Sequence, residues 1–116
     1  MKITKPKNEK VWKRMLEGDS DSFSLIFKRQ YKLLFNYAFS ICHNEELAKD
    51  SIQELFVYIW EKRNSLAQVK SVHNYLIISL RRIVLKSLKI RVDENENNKN
   101  LSIDLPKEAF SAQDML

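Results

Sequence analysis

Apolar residues return at intervals of three and four in four separate stretches of this chain, the pattern of helices that pack through one side. The first stretch carries Val11, Trp12, Met15 and Leu16, with Asn8 placed to cap its start and Gly18, the single glycine, placed to stop it. Asp19 or Ser20 caps a long second helix with Asp21 in its first turn. Its stripe is Phe23, Phe27, Tyr31, Leu34, Ala38 and Ile41, widened by Ile26, Leu33, Phe35 and Tyr37, which suits a helix touching several neighbours. Asn44 caps a third helix, where Glu45 and Glu46 favour the positive N-terminal end, and this helix ends near Arg63. Residues 64–70 have no period and read as a loop. Ser71 caps a fourth helix that reaches about Arg91. The run from Asp93 to Asn100 is too polar to hold a packed structure. Leu101 to Leu116, with scattered apolar residues and Pro106, reads as a linker with at most a short helix. The expected fold is all-α, a compact bundle of four helices: a basic tail at 1–7, a helical domain at 8–92 and an acidic C-terminal linker at 93–116.

Two of the helices carry a second pattern. At about 100° per residue, Ala48, Ile52, Leu55 and Ile59 of the third helix make an ordinary core stripe, while Asp50, Gln53, Glu54, Val57 and Glu61 gather on the opposite side with Trp60 near its edge. A solvated face has no need of a branched aliphatic or an indole. Two readings stand: a surface helix with a stray valine, or a docking face for another protein. On the fourth helix Leu76, Leu80, Ile83, Val84 and Ser87 occupy one side, and Tyr75, Ser79, Arg82, Lys86 and Lys89 the other. An aromatic in line with three cations on the solvent side suits a single-stranded nucleic acid, since cations meet phosphates and a ring stacks on bases. The plainer reading is a solvated Lys/Arg face.

Charge favours the nucleic acid. The net +5 hides four blocks: six bases and one acid over residues 1–16, eight acids and four bases over 17–61, eight bases and no acid over 62–91, and six acids with two lysines from Asp93 onward. A merely solubilising face would include acidic partners one helical turn away. The basic block is a candidate for a polyanion.

Composition narrows the remaining chemistry. One glycine and two prolines in 116 residues fit helices with short connections rather than a sheet protein. Cys42 is the single cysteine, which rules out an internal disulfide, fits a reducing compartment and suggests a half-buried small residue. His43 and His73 are far apart with no ligand-spaced Cys or carboxylate, so neither a metal nor a cofactor is expected. No phosphate loop or nucleophile motif is present, and Asp50 and Glu54 on an open helix face lack the surroundings that tune a catalytic carboxylate, so no enzyme is expected. The basic N-terminus leads into no apolar stretch, and no run approaches the length of a membrane span. The expectation is a soluble, cytoplasmic protein without membrane insertion.

Over about residues 10–91 the chain resembles region two of a bacterial RNA polymerase sigma factor of the extracytoplasmic-function (ECF) group. Gly18-Asp19 followed by Phe23 is similar to that family's Gly-Asp…Ala-Phe opening, with Ser22 in place of the usual alanine. Ala48-Lys49-Asp50-Ser51-Ile52-Gln53-Glu54-Leu55-Phe56 resembles its Ala-Glu-Asp-aliphatic-aliphatic-Gln-Glu-aliphatic-Phe signature; Trp60 sits where tryptophan is common, and Tyr75-Leu76 resembles the opening of its last helix. The resemblance implies that the face of Asp50, Gln53 and Glu54, extended by Val57 and Glu61, docks on the clamp helices of the β′ subunit of core RNA polymerase. It implies that Arg63 with the loop after it (Asn64, Ser65, Lys70) and the fourth helix (Tyr75, Ser79, Arg82, Lys86, Lys89) bind DNA, recognising the non-template strand of the minus-ten promoter element and holding it open, a flipped base entering a pocket formed by the loop. An anti-sigma protein covering the same faces is a further partner it implies. Arg82 and Lys86 stand where the family often has Asn and Asp, both changes adding positive charge; Lys49 replaces the usual Glu. The helix-turn-helix of region four is expected to be absent, with residues 93–116 as the start of the linker toward it. The competing expectation is a helical adaptor that binds proteins only.

Overall fold

Side-chain caps decide where three of the four helices begin. The computed structural model describes residues 6–95. They form α1 (Asn8–Leu16), α2 (Ser20–Cys42), α3 (Glu45–Glu61) and α4 (Val72–Asn95), with a 3₁₀ turn, Arg63–Ser65, between the last two. Asp19 caps α2: its Oδ1 accepts from the Asp21 amide at 3.1 Å and its Oδ2 from the Ser22 hydroxyl at 2.6 Å. The Ser22 bond, foremost, holds the Asp19 carboxyl below its ordinary pKa, helped by the Asp21 and Ser22 amides and the Arg14 charge against the opposing effect of burial. Asn44 Oδ1 accepts from the Leu47 amide at 2.9 Å, and Ser71 Oγ from the Asn74 amide at 3.2 Å. Asn8 does not cap. The cap position is Lys7, which makes no side-chain bond there, while Asn8 Oδ1 accepts from Arg29 Nη1 at 3.0 Å and ties α1 to α2.

The two tight turns pass through left-handed backbone, at Gly18 (φ 101°) and at His43 (φ 50°). Glycine adopts that conformation freely, whereas a histidine is strained there. At its far end α4 extends to Asn95, beyond the expected Arg91, so Asp93 and Glu94 continue the helix. Adding residues to a long, formed helix is far easier than nucleating a new one, which lets even a polar sequence follow on. The rest of the acidic linker, residues 96–116, and residues 1–5 of the basic tail lie outside the described residues.

α2 packs on α1, α3 and α4 and is the centre of the bundle. Its inner row is Ser22, Ile26, Gln30, Leu34 and Ala38, four residues apart and all buried. Against it lie Val11, Trp12 and Met15 of α1, Ala48, Ile52, Leu55 and Ile59 of α3, and Val72, Leu76, Leu80 and Val84 of α4. Gln30 is one of two polar members of the row, with Ser22; its Oε1 lies 2.6 Å from His73 Nδ1, a part-buried link between α2 and α4. A second row on α2 carries rings: Phe23, Phe27, Tyr31, Phe35, Phe39 and His43 join Phe56 and Trp60 of α3 in a continuous chain, neighbours 4.9–6.4 Å apart. These contacts fix α3 against α2 and leave the outer side of α3 uncovered.

Candidate functional site

Because Ala48, Ile52, Leu55 and Ile59 are drawn into the core, the opposite side of α3 must face out. Asp50, Gln53, Glu54, Val57 and Glu61 are all exposed, and Val57, at 48% exposed, is an aliphatic side chain held in water. That side forms a crest between two grooves. Toward α4, Asp50, Gln53, Glu54, Val57 and Glu61 face Arg82, Lys86 and Lys89 across a floor of Leu55, Tyr58, Ile83 and Leu85, in a groove of about 910 Å³. Toward α2, Gln53, Val57 and Glu61 also line a more apolar groove, of about 510 Å³, with Phe23, Phe27, Lys28, Phe56 and Trp60. The surfaces expected to be separate, one acidic and one basic, are therefore opposite walls of a single groove.

On α4 the structure corrects the expected stripe. Tyr75 and Ser79 are only 5% and 3% exposed. α1 covers the start of α4, and the Trp12 ring packs edge-on against Tyr75 with centroids 5.3 Å apart, so Tyr75 offers no platform for a base. Burial foremost, with Tyr58 adding, raises the Tyr75 phenol above its ordinary pKa. Arg82, Lys86 and Lys89 come later, where α4 has passed the cover of α1: Lys86 is exposed, Arg82 and Lys89 are half-buried, and all three line the groove. They lie ten to seventeen residues past the start of α4, about 15–25 Å along its axis. The basic stripe is thus set back from the preceding loop.

In the connection itself Arg63 is engaged at home. Its guanidinium lies 4.0 Å from the centre of the Trp60 ring, and its Nη1 donates to the Trp60 carbonyl at 2.6 Å, closing the end of α3. Asn64, Ser65 and Lys70 are exposed, Ser65 Oγ donating to the Lys62 carbonyl at 2.9 Å. The segment between them is not loose. Val69 is buried, Trp12 Nε1 donates to the Ala67 carbonyl at 3.1 Å, and Gln68 Nε2 donates to the Glu9 carbonyl at 3.0 Å. The sequence pattern showed neither these contacts nor the exposed Tyr58 of the groove. Trp12 read simply as core, and partners 55 residues apart leave no periodic trace.

Among the described residues no cluster of His, Cys, Asp and Glu suits a metal ion, and no helix is long and apolar enough to cross a membrane. No curated protein and no solved structure matches the chain. The family model described as Sigma-70 region 2 does match, over residues 26–91, a span from within α2 through most of α4 that takes in both walls of the groove and the loop between them. By this match over more than half of its length, the chain belongs to the sigma-70 region 2 family, a non-enzymatic family of sigma-factor domains that bind core RNA polymerase and promoter DNA in transcription initiation.

Proposed function

We propose that this chain is the region two domain of an ECF-group sigma factor, working in the cytoplasm, that grips core polymerase through α3 and recognises and melts the minus-ten element with α4 and the loop before it. The observation that carries the reading is the outer side of α3. Val57 stands on a crest between a more apolar groove toward α2 and a charge-walled groove with an apolar floor toward α4, with Asp50, Gln53, Glu54 and Glu61 along it, a shape that a pair of partner helices such as the β′ clamp can straddle. Buried apolar contact at Val57 would supply affinity, and the carboxylates and Gln53 would set register and partner choice.

With Tyr75 buried, strand capture falls to charge and to the loop. Arg82, Lys86 and Lys89 meet backbone phosphates, while Asn64, Ser65 and Lys70 face bases displaced from the stack. Separating a duplex costs about 1.4 kcal/mol per base-pair step. A surface that binds only the separated strand offsets that cost by shifting the population toward the open state. An anti-sigma protein would silence the domain by occupying the same α3–α4 groove.

The test is reconstitution with core polymerase. Asp50→Ala and Gln53→Ala weaken polymerase binding, whereas Arg82→Ala with Lys86→Ala leaves polymerase bound and lowers promoter opening, read by a fluorescent base analogue in the minus-ten element. Polymerase binding untouched by the first pair would overturn the docking assignment; opening untouched by the second would favour a domain that contacts proteins only.

A further inference from the structure

α1 precedes the span matched by the family model, yet its side chains and backbone make three polar contacts with the connection into α4. Trp12 Nε1 donates to the Ala67 carbonyl at 3.1 Å, the Glu9 carbonyl accepts from Gln68 Nε2 at 3.0 Å, and Glu9 Oε2 accepts from the Val72 amide at 3.4 Å. With Ser71 bonded to the Asn74 amide and Val69 buried between, the backbone from Ala67 to Val72 is held at both ends and in the middle. From this geometry we infer that α1 is a brace that sets the reading geometry of the loop, with Trp12 and Glu9 as its positioning residues and the non-template promoter strand as the ligand whose recognition they tune. The inference rests on the recognition reading above.

The physical case is preorganisation. Residues 66–71 lie in neither helix nor strand, and a loop of that kind would have to be ordered at the moment a strand binds. Here that ordering is already present in the free domain, through bonds from a separate helix. The side chains of Asn64, Ser65 and Lys70 remain exposed while the intervening backbone is anchored. Glu9 has a second effect at the start of α4, because its carboxylate lies against the first amide of that helix, where negative charge is favourable. Trp12 links both ends of the arrangement, since the ring that bonds the loop also packs against Tyr75 of α4. Ala67 is itself exposed, so its carbonyl can turn to water if the indole N–H is lost. The loss then falls on where the loop sits more than on whether the bundle folds.

The test uses Trp12→Phe, Glu9→Ala, the conservative Glu9→Gln, and Met15→Ala as a core change on α1 with no contact to the loop among those above. The first readout is amide hydrogen exchange in the free protein. Trp12→Phe and Glu9→Ala should speed exchange at Val72, whose amide is the one backbone donor of residues 67–72 with a bonded acceptor, roughly three- to tenfold, the worth of one hydrogen bond, without a matching change in α3; Glu9→Gln should restore protection, and Met15→Ala should loosen the bundle without singling out Val72. The second readout, with core polymerase, is the ratio of affinity for the minus-ten strand over a scrambled strand, which should fall by a similar factor in the first two variants and recover in Glu9→Gln. Unchanged exchange at Val72, or a loosened loop with intact base preference, overturns the inference. An equal loss of preference in Met15→Ala overturns it too, since a structural role alone would then suffice. If the wild-type complex shows no preference for the minus-ten strand, the recognition reading itself fails, and the exchange data show separately whether α1 braces the loop.

Discussion

Lys86 and Lys89 offer the cleanest test of how the groove treats DNA. Both line its α4 wall, one exposed and one half-buried, so replacing each with Gln keeps most of the side chain and removes the charge. Changes at such positions move stability by no more than about 0.5 kcal/mol as a rule, which leaves binding as the quantity that shifts. On single strands each neutralised phosphate contributes about 0.7 to the slope of log affinity against log salt. Two lost contacts should therefore flatten the slope by about 1.4. Between about 50 and about 200 mM salt, wild-type affinity should fall about sevenfold further than that of Lys86→Gln/Lys89→Gln. The assay is fluorescence anisotropy of a labelled minus-ten non-template strand, titrated with the domain bound to core polymerase at several salt concentrations. Across the groove stand Asp50 and Glu54, and these make the refuting result specific. If the lysines serve only to balance those carboxylates, the wild-type and variant slopes will run parallel, and the assignment of a phosphate-binding wall is wrong.

Other predictions concern the scaffold. Asn44→Ala removes the acceptor for the Leu47 amide and should cost about 0.5–2 kcal/mol in urea unfolding; no loss would mean the α3 cap is redundant. His43→Gly relieves the left-handed turn at φ 50° and should raise stability by about 0.5–1 kcal/mol, an increase of several degrees in Tm, whereas a decrease would show that the ring contact with Phe39 outweighs the strain. The lowered pKa of Asp19 means the folded state holds that proton less tightly than the unfolded chain, so its contribution is present above the ordinary carboxylate pKa and is lost as pH falls through the lowered value. Asp19→Asn should accordingly flatten the acid limb of the stability–pH curve, and an unchanged limb would contradict the assignment.

Much of this architecture is legible in the sequence, for reasons that can be named. Caps are local: Asn44 and Ser71 bond amides three residues ahead, within the range a pattern can see. The two-sided nature of α3 is legible because one period runs the length of that helix and one pair of neighbours covers it. On α4 the same reasoning failed at Tyr75 and Ser79. A helical period reports the angle at which a side chain leaves the axis, whereas burial depends on what lies over each turn, and α1 lies over only the first turns. The same angle that buries Tyr75 therefore opens Lys86 to the groove. Arg63 is expected at the DNA because nothing in the spacing shows that the Trp60 ring lies beneath it. The α1 contacts to Ala67, Gln68 and Val72 were out of reach, since they join segments 55–63 residues apart through single bonds.

The central claim is that the α3 crest meets polymerase while the loop before α4 meets DNA, and site-specific photocrosslinking tests it most directly. A photoreactive side chain replaces Val57 in one variant and Ser65 in another, both exposed positions, and each is assembled with core polymerase and promoter DNA. The account predicts that position 57 crosslinks to the β′ subunit and position 65 to the non-template strand at the minus-ten element. Crosslinking of position 57 to DNA, or of position 65 to polymerase alone, would contradict it.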